Sequence, residues 1–197
     1  PGAALRDAPE PARVAVPERG WTLQAGPGVF GRRHLDIGAR FLLDHLPTDV
    51  SGEVADLGCG NGVLGLSLAA DNPAARVTFC DVSFLAVESA RTNVADHDRQ
   101  PERHHFHLGN GLEGIEQARA QKPDLILMDV VMPELNGFQA TRKINKDAEL
   151  GGIPVILVTT KDQETDKVWG ERQGAAGYIV KPAQEPELAA MIKRVLG

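Results

Sequence analysis

Only two cysteines, Cys59 and Cys80, occur among the 197 residues. That is too few for a disulfide framework or a zinc site, and a reducing, cytoplasmic setting is the expectation. No apolar run reaches membrane length and no signal peptide is visible, so neither a membrane partner nor secretion is expected. A surplus of positive charge is missing as well. The formal net charge is -6, which removes any general electrostatic argument for nucleic acid and leaves an RNA-binding role in need of a local basic patch. An initiator methionine is absent too: the chain begins at Pro1, as expected of a piece processed or excised from something longer. What remains, 42% apolar and 24% charged residues, is an ordinary globular composition, long enough for one large domain or two small ones.

One absence is local. Lysine does not occur from Pro1 to Leu112, a stretch that holds ten Arg, all six His and both Cys. From Glu113 to Gly197 there are seven Lys, four Arg and all three Met, with neither His nor Cys. A chain with one history rarely changes its basic residue so cleanly, so the two stretches read as differing in origin.

The most informative stretch is Val54-Ala55-Asp56-Leu57-Gly58-Cys59-Gly60-Asn61-Gly62. An apolar run ends in an acid, three glycines follow at alternate positions, and Val63 to Ala70 carries apolar residues at a helical period: strand, glycine turn, helix. Glycine there permits backbone conformations closed to other residues and lets a ligand approach the main chain, while the helix N-terminus offers N–H groups. Ala75 to Asp81 reads as a second strand ending in an acid, with Ser83 starting a helix. Asp81 lies 19 residues beyond Gly62, close to the spacing at which a carboxylate accepts hydrogen bonds from ribose hydroxyls in Rossmann sheets.

Further strands are expected at 104–108 with Asn110 at the end, at Leu125–Asp129, at 155–160 and at 177–181. Helices are expected at 35–46, at 111–121 and at 187–196, and Pro1 to Gly20 reads as a tail or linker. Strand and helix alternate throughout, which argues for an α/β fold with a parallel sheet covered on both faces.

Residues 21–112, with Gly28-Val29-Phe30, Leu35-Asp36-Ile37-Gly38, Asp56-Leu57-Gly58-Cys59-Gly60-Asn61-Gly62 and Cys80-Asp81-Val82-Ser83, resemble the S-adenosylmethionine-binding half of the small-subunit ribosomal RNA guanine-N2 methyltransferases. The resemblance implies a cofactor clasped by Gly58, Gly60 and Gly62 behind Asp56, a ribose held by Asp81, and Asn110 near the adenine. That family presents Asn-Pro-Pro-Phe at the end of its fourth strand to hold and stack the target base. This chain has Asp129-Val130-Val131-Met132 instead, so binding of S-adenosylmethionine or S-adenosylhomocysteine is expected without the methyl-transfer motif, and ribosomal RNA is not expected as a partner. An active methyltransferase is the enzymatic alternative.

Residues 113–197 resemble a response-regulator receiver domain of the chemotaxis and twitching-motility type, through Met128-Asp129-Val130-Val131-Met132-Pro133, Asn136-Gly137, Val158-Thr159-Thr160, Gly174-Ala175 and Tyr178-Ile179-Val180-Lys181-Pro182. By that resemblance Asp129 is a phospho-acceptor, Thr159 the switch hydroxyl, Tyr178 the switch aromatic and Lys181 the cation beside the phosphoryl group, with a cis bond before Pro182. Mg²⁺ is implied at Asp129 and the Val131 carbonyl. The receiver's acidic pair falls in the replaced segment, where Asp56 offers one carboxylate. A phospho-accepting signalling module is the third alternative.

Taken together, these resemblances imply a chimeric, engineered protein: a doubly wound, three-layer Rossmann-like parallel sheet of order 3-2-1-4-5-6, with residues 21–197 folding as a single domain. A monomer is expected, or a weak dimer through exposed edge strands.

Overall fold

The computed structural model describes residues 10–29, 50–132, 135–159 and 163–180. Six parallel strands form its central sheet: β3 (Gly52–Leu57), β4 (Ala75–Asp81), β5 (His105–Leu108), β6 (Leu125–Asp129), β7 (Val155–Thr159) and β8 (Gly177–Val180). They lie side by side in the order β5-β4-β3-β6-β7-β8. β3 is therefore central, with Leu57 opposite Cys80 on one side and Met128 on the other.

Two hydrophobic cores, one on each face, follow from the period-two alternation of these strands. Val54, Val77, Phe79, Leu125, Leu127, Ile156, Val158 and Ile179 share the first core with Leu66 and Leu68 of α1 (Val63–Asp71) and Ala90 and Val94 of α2 (Phe84–His97). Ala55, Leu57, Cys80, Ile126, Met128, Leu157 and Tyr178 share the second with Ile115 and Ala118 of α3 (Gly111–Gln121) and Phe138, Ala140 and Ile144 of α4 (Gly137–Lys146). A fifth helix, α5 (Glu164–Arg172), buries only Gly170, whose missing Cβ would fall 2.8 Å from the Tyr178 ring. Each core thus mixes side chains from before and after residue 112.

Three of these helices start on side-chain caps. Ser83 accepts from the Ala86 N–H, and Asn110 and Asn136 each form a capping box, with Glu113 and Gln139 respectively. None of the described helices is long and apolar enough to cross a membrane.

The reading of Pro1 to Gly20 as a tail is corrected for its latter part. β1 (Ala12–Val16) pairs antiparallel with β2 (Trp21–Ala25) through a single 3-10 turn, Pro17–Arg19, closed by Gly20 at φ 67°. Val14, Val16, Leu23 and Ala25 point inward and are buried in the first core, which supplies the apolar area that orders the hairpin. The helices expected at 35–46 and 187–196, Thr160, and Lys181 with its bond to Pro182 lie outside the described residues.

Candidate functional site

The glycine turn closes over the carboxyl end of β3, and its shape is set by hydrogen bonds to β4. The N–H groups of Gly58 and Cys59 both donate to the Cys80 carbonyl, at 2.8 and 3.1 Å. Gly58, Gly60 and Gly62 stand at φ 84°, 56° and 79°, the left-handed region that disfavours side chains. The three glycines differ in what surrounds them. An ideal Cβ on Gly58 would fall 2.9 Å from the Asp129 Cβ, and one on Gly62 2.8 Å from the Ala90 Cβ of α2, whereas one on Gly60 meets nothing within 4 Å. Gly58 and Gly62 are thus required by packing as well as by backbone conformation, and Gly60 faces open space.

That space is a cleft of about 290 Å³ at the carboxyl ends of β3, β4 and β6, near the small end of the usual ligand-pocket range. Asp56, Gly58, Gly60, Asp81, Asn110, Asp129 and Val131, seven of the site residues expected from sequence, line it. Gly62 does not line it; it is the N-cap of α1 and packs against α2. Thr159 is fully buried at the end of β7 and lies outside the lining.

Each polar side chain in the cleft already holds a piece of backbone. Asp81 accepts from the Gly60 N–H through Oδ2 at 3.0 Å and from the Ser83 N–H through Oδ1 at 2.8 Å. Asp56, 4% exposed, accepts from the Gly65 N–H of α1 at 3.1 Å. The Asn110 Oδ1 accepts from the Leu112 and Glu113 N–H groups, and the Asp129 Oδ1 accepts from the Val131 N–H at 2.9 Å. A carboxylate oxygen can accept more than one hydrogen bond, so Asp81 can serve the loop and a ligand hydroxyl together.

Both cysteines line the cleft as neutral thiols. Burial, reinforced by Asp56 and Asp81, raises the Cys59 thiol well above its ordinary value. Burial, then Asp81, pushes Cys80 up to about 12. Neither has the thiolate character of a nucleophile.

The hairpin is tied to this site by Asn93 of α2, a residue the sequence pattern did not single out. Its Oδ1 accepts from the Gln24 N–H, and its Nδ2 donates to the carbonyls of Gln24 and Asn61, the latter within the glycine turn. Ser89 likewise accepts from the Gly26 N–H, bringing Gly28 and Val29 to the cleft wall. No local signal marks Asn93, because its partners lie 32 and 69 residues away in the chain.

The donor set for Mg²⁺ is short. The residue beside Asp129 is Gly58, just past the end of β3, and the nearest acid of β3, Asp56, pairs two residues deeper with Leu127. Among the described residues no group of three or more His, Cys, Asp or Glu is placed to hold a metal ion. Mg²⁺ keeps several of its waters and takes one or two carboxylates; of the acids here, Asp129 holds the Val131 N–H and Asp56 the Gly65 N–H.

Two families match the chain: the methyltransferase small domain over residues 20–130, and the response regulator receiver domain over residues 90–193. Among curated proteins, Protein PilH of Pseudomonas aeruginosa is 63% identical over 87 residues, covering 44% of this chain and 72% of PilH. Ribosomal RNA large subunit methyltransferase G of Alcanivorax borkumensis is 55% identical over 119 residues, covering 59% of this chain but only 30% of that protein. This relative acts by name on the large subunit, where the motifs were read as of the small-subunit type. Among solved structures, a putative response regulator from Chloroflexus aurantiacus superposes with a TM-score of 0.51 at 18% identity, covering 75% of this chain and 98% of that one. The receiver domain of a sensor histidine kinase from Pseudomonas aeruginosa gives 0.50 at 21% identity, covering 75% and 99%. At such identities the likeness speaks to the fold alone.

Proposed function

Because the chain belongs both to the methyltransferase small domain family and to the response regulator receiver family, we propose that it is an engineered chimera that binds S-adenosylmethionine or S-adenosylhomocysteine without transferring the methyl group. Residues 21–112 supply the cofactor-binding half and residues 113–197 complete the sheet, so that residues 21–197 fold as one domain with the hairpin from Ala12 docked on it.

The observation that carries the reading is the open space over Gly60 beside Asp81, at the mouth of a cleft lined by both halves. Gly58 and Gly60 let the ligand approach the loop backbone, Asp81 takes the ribose hydroxyls, and Asn110 flanks the adenine. Bound there, S-adenosylmethionine presents an electrophilic methyl group. What the chain lacks is the means to hold an acceptor: at the end of β6, Asp129-Val130-Val131-Met132 stands in place of Asn-Pro-Pro-Phe, without a stacking ring. Asp129 and Thr159 serve the architecture in this reading, and neither phosphoryl transfer, Mg²⁺ nor ribosomal RNA forms part of it.

Thermal denaturation with S-adenosylmethionine and S-adenosylhomocysteine tests the proposal. Ligand at 100 times its dissociation constant contributes about 2.7 kcal/mol, and Gly60→Val, which fills the open space, is expected to abolish the rise in melting temperature. Absence of any rise at millimolar ligand, or an equal rise in Gly60→Val, refutes it.

A further inference from the structure

On the face of the sheet covered by α3, α4 and α5, away from the hairpin, two hollows have a charged lining made mainly of cations. α3 and α4 leave a groove of about 560 Å³ between them, and a second hollow of about 510 Å³ lies on the far side of α4. Five cations line the two hollows: Arg119, Arg142, Lys143, Lys146 and Arg172. Among the described residues only two carboxylates, Glu116 and Asp147, accompany them, in a chain whose net charge is -6.

Both of those carboxylates are taken by Arg119, whose Nη1 lies 2.5 Å from Glu116 and whose Nη2 lies 2.5 Å from Asp147. Arg142, Lys143, Lys146 and Arg172 are therefore left without a side-chain partner among the described residues. Cations near a helix C-terminus complement its dipole. Arg142 and Lys146, however, stand one turn apart, where like charges repel, and both line both hollows.

The floor of the larger groove decides what kind of anion fits. Leu112, 46% exposed, stands there above Ile115 and Leu135, which are 5% and 9% exposed, so the groove offers one open aliphatic side chain beside a cationic rim. Among the described residues no aromatic lines either hollow, so the bases of a single-stranded nucleic acid find no ring there to stack on. We propose that this groove docks an acidic amphipathic helix of a partner protein, with its aliphatic stripe against Leu112 and its carboxylates on Arg142, Lys143 and Lys146. The flanking helices, 11 and 10 residues long, give a groove of about 15 Å, or roughly three helical turns.

The test is fluorescence anisotropy with a labelled peptide of about 14 residues, four helical turns, bearing leucine on one stripe and glutamate on the rest. Three comparators accompany it: the same pattern with lysine for glutamate, the same leucine and glutamate content in scrambled order, and a labelled single-stranded RNA. Saturable binding of the patterned acidic peptide alone is expected. It should weaken about tenfold in the double variant Arg142→Gln, Lys146→Gln, the scale of two exposed ion pairs, and remain unchanged in Lys122→Gln, whose ammonium sits 3.9 Å from Glu149 outside the groove. All three positions are exposed, so circular dichroism should report an intact fold. No binding by the patterned peptide, equal binding by the scrambled one, or tighter binding of RNA lost in the same double variant overturns the proposal.

Discussion

Replacing Ile126 by alanine tests whether the two halves share one core. Ile126 is fully buried near the start of β6, opposite Ala55 of β3 and Val155 of β7, in a core that also contains Leu57, Cys80, Leu157 and Tyr178. The cavity left by removing such a side chain costs about 2–5 kcal/mol. Taking about 3 kcal/mol and the usual 2–4 °C per kcal/mol for a chain of this size, the midpoint should fall by about 6–12 °C.

The two tryptophans make the assay selective. Trp21 lies in the hairpin, stacked on His97 at 5.3 Å with the Arg19 guanidinium 5.5 Å from its ring centre, and Trp169 is half-exposed on α5. Single-tryptophan proteins made by Trp169→Phe or Trp21→Phe report on one half each. If the sheet melts as a unit, both reporters and the far-ultraviolet dichroism give one midpoint, and Ile126→Ala lowers all three equally. Two transitions, or a shift confined to the Trp169 reporter, would show separately folding halves and refute the reasoning.

Gly58→Ala combines a left-handed backbone at φ 84° with a Cβ 2.9 Å from that of Asp129, and urea unfolding should record a loss of about 2 kcal/mol or more; unchanged stability would mean the loop relaxes freely. Asn93→Ala removes three hydrogen bonds between α2, the hairpin and the glycine turn, the one to Asn61 buried and the two to Gln24 part-buried, so a loss of about 1–3 kcal/mol is expected, with Trp21 emission changing ahead of the dichroism. Stability should also decline in acid. Burial holds the His104 imidazole below its ordinary value, aided by Arg103 and opposed by Asp98, and its Nδ1 accepts from the Val77 N–H at 3.0 Å, a bond that protonation would break. A histidine depressed in the folded state stabilises fully above its unfolded value of 6.5 and loses that contribution as pH falls. Asp98, also lowered from 3.8, adds a second loss at lower pH. His104→Asn, which keeps an acceptor near Val77 but cannot titrate, should flatten the decline between pH 7 and 5 by up to about 1.4 kcal/mol per unit; an unaltered slope would assign the acid sensitivity elsewhere.

The strands carried by strong local signals were legible from the sequence. Ala75–Asp81 and Leu125–Asp129 are runs of apolar residues closed by an acid, and α3 is bracketed by the Asn110 cap and Pro123, so its span is the one observed. The β1 strand was not legible. Ala12–Val16 sits between prolines, presents only Val14 and Val16 inward, and owes its order to β2 and α2 rather than to its own pattern. The glycine turn shows the same division. Three glycines at alternate positions read alike in sequence, yet Gly62 packs on Ala90, Gly58 abuts Asp129 and Gly60 faces open space, because each is defined by a neighbour 28 or 71 residues away or by none. Asp81 reads as a ribose ligand from spacing, and only the fold reveals that its oxygens also anchor Gly60 and Ser83.

At the junction the two families make incompatible demands on one position. A receiver needs an acid at the end of its first strand, beside the phospho-accepting aspartate; a methyltransferase needs a glycine there to let the backbone turn toward its cofactor. Here that position is Gly58, at φ 84° and in contact with Asp129. An aspartate at 58 would need both a left-handed backbone and room for a Cβ against that of Asp129, and the register that joins Leu57 to Met128 allows neither to shift without moving β3 relative to β6. The register that lets the halves share a ladder therefore sets a glycine, not an acid, beside Asp129, whose side chain forms a wall of the cleft behind the glycine turn.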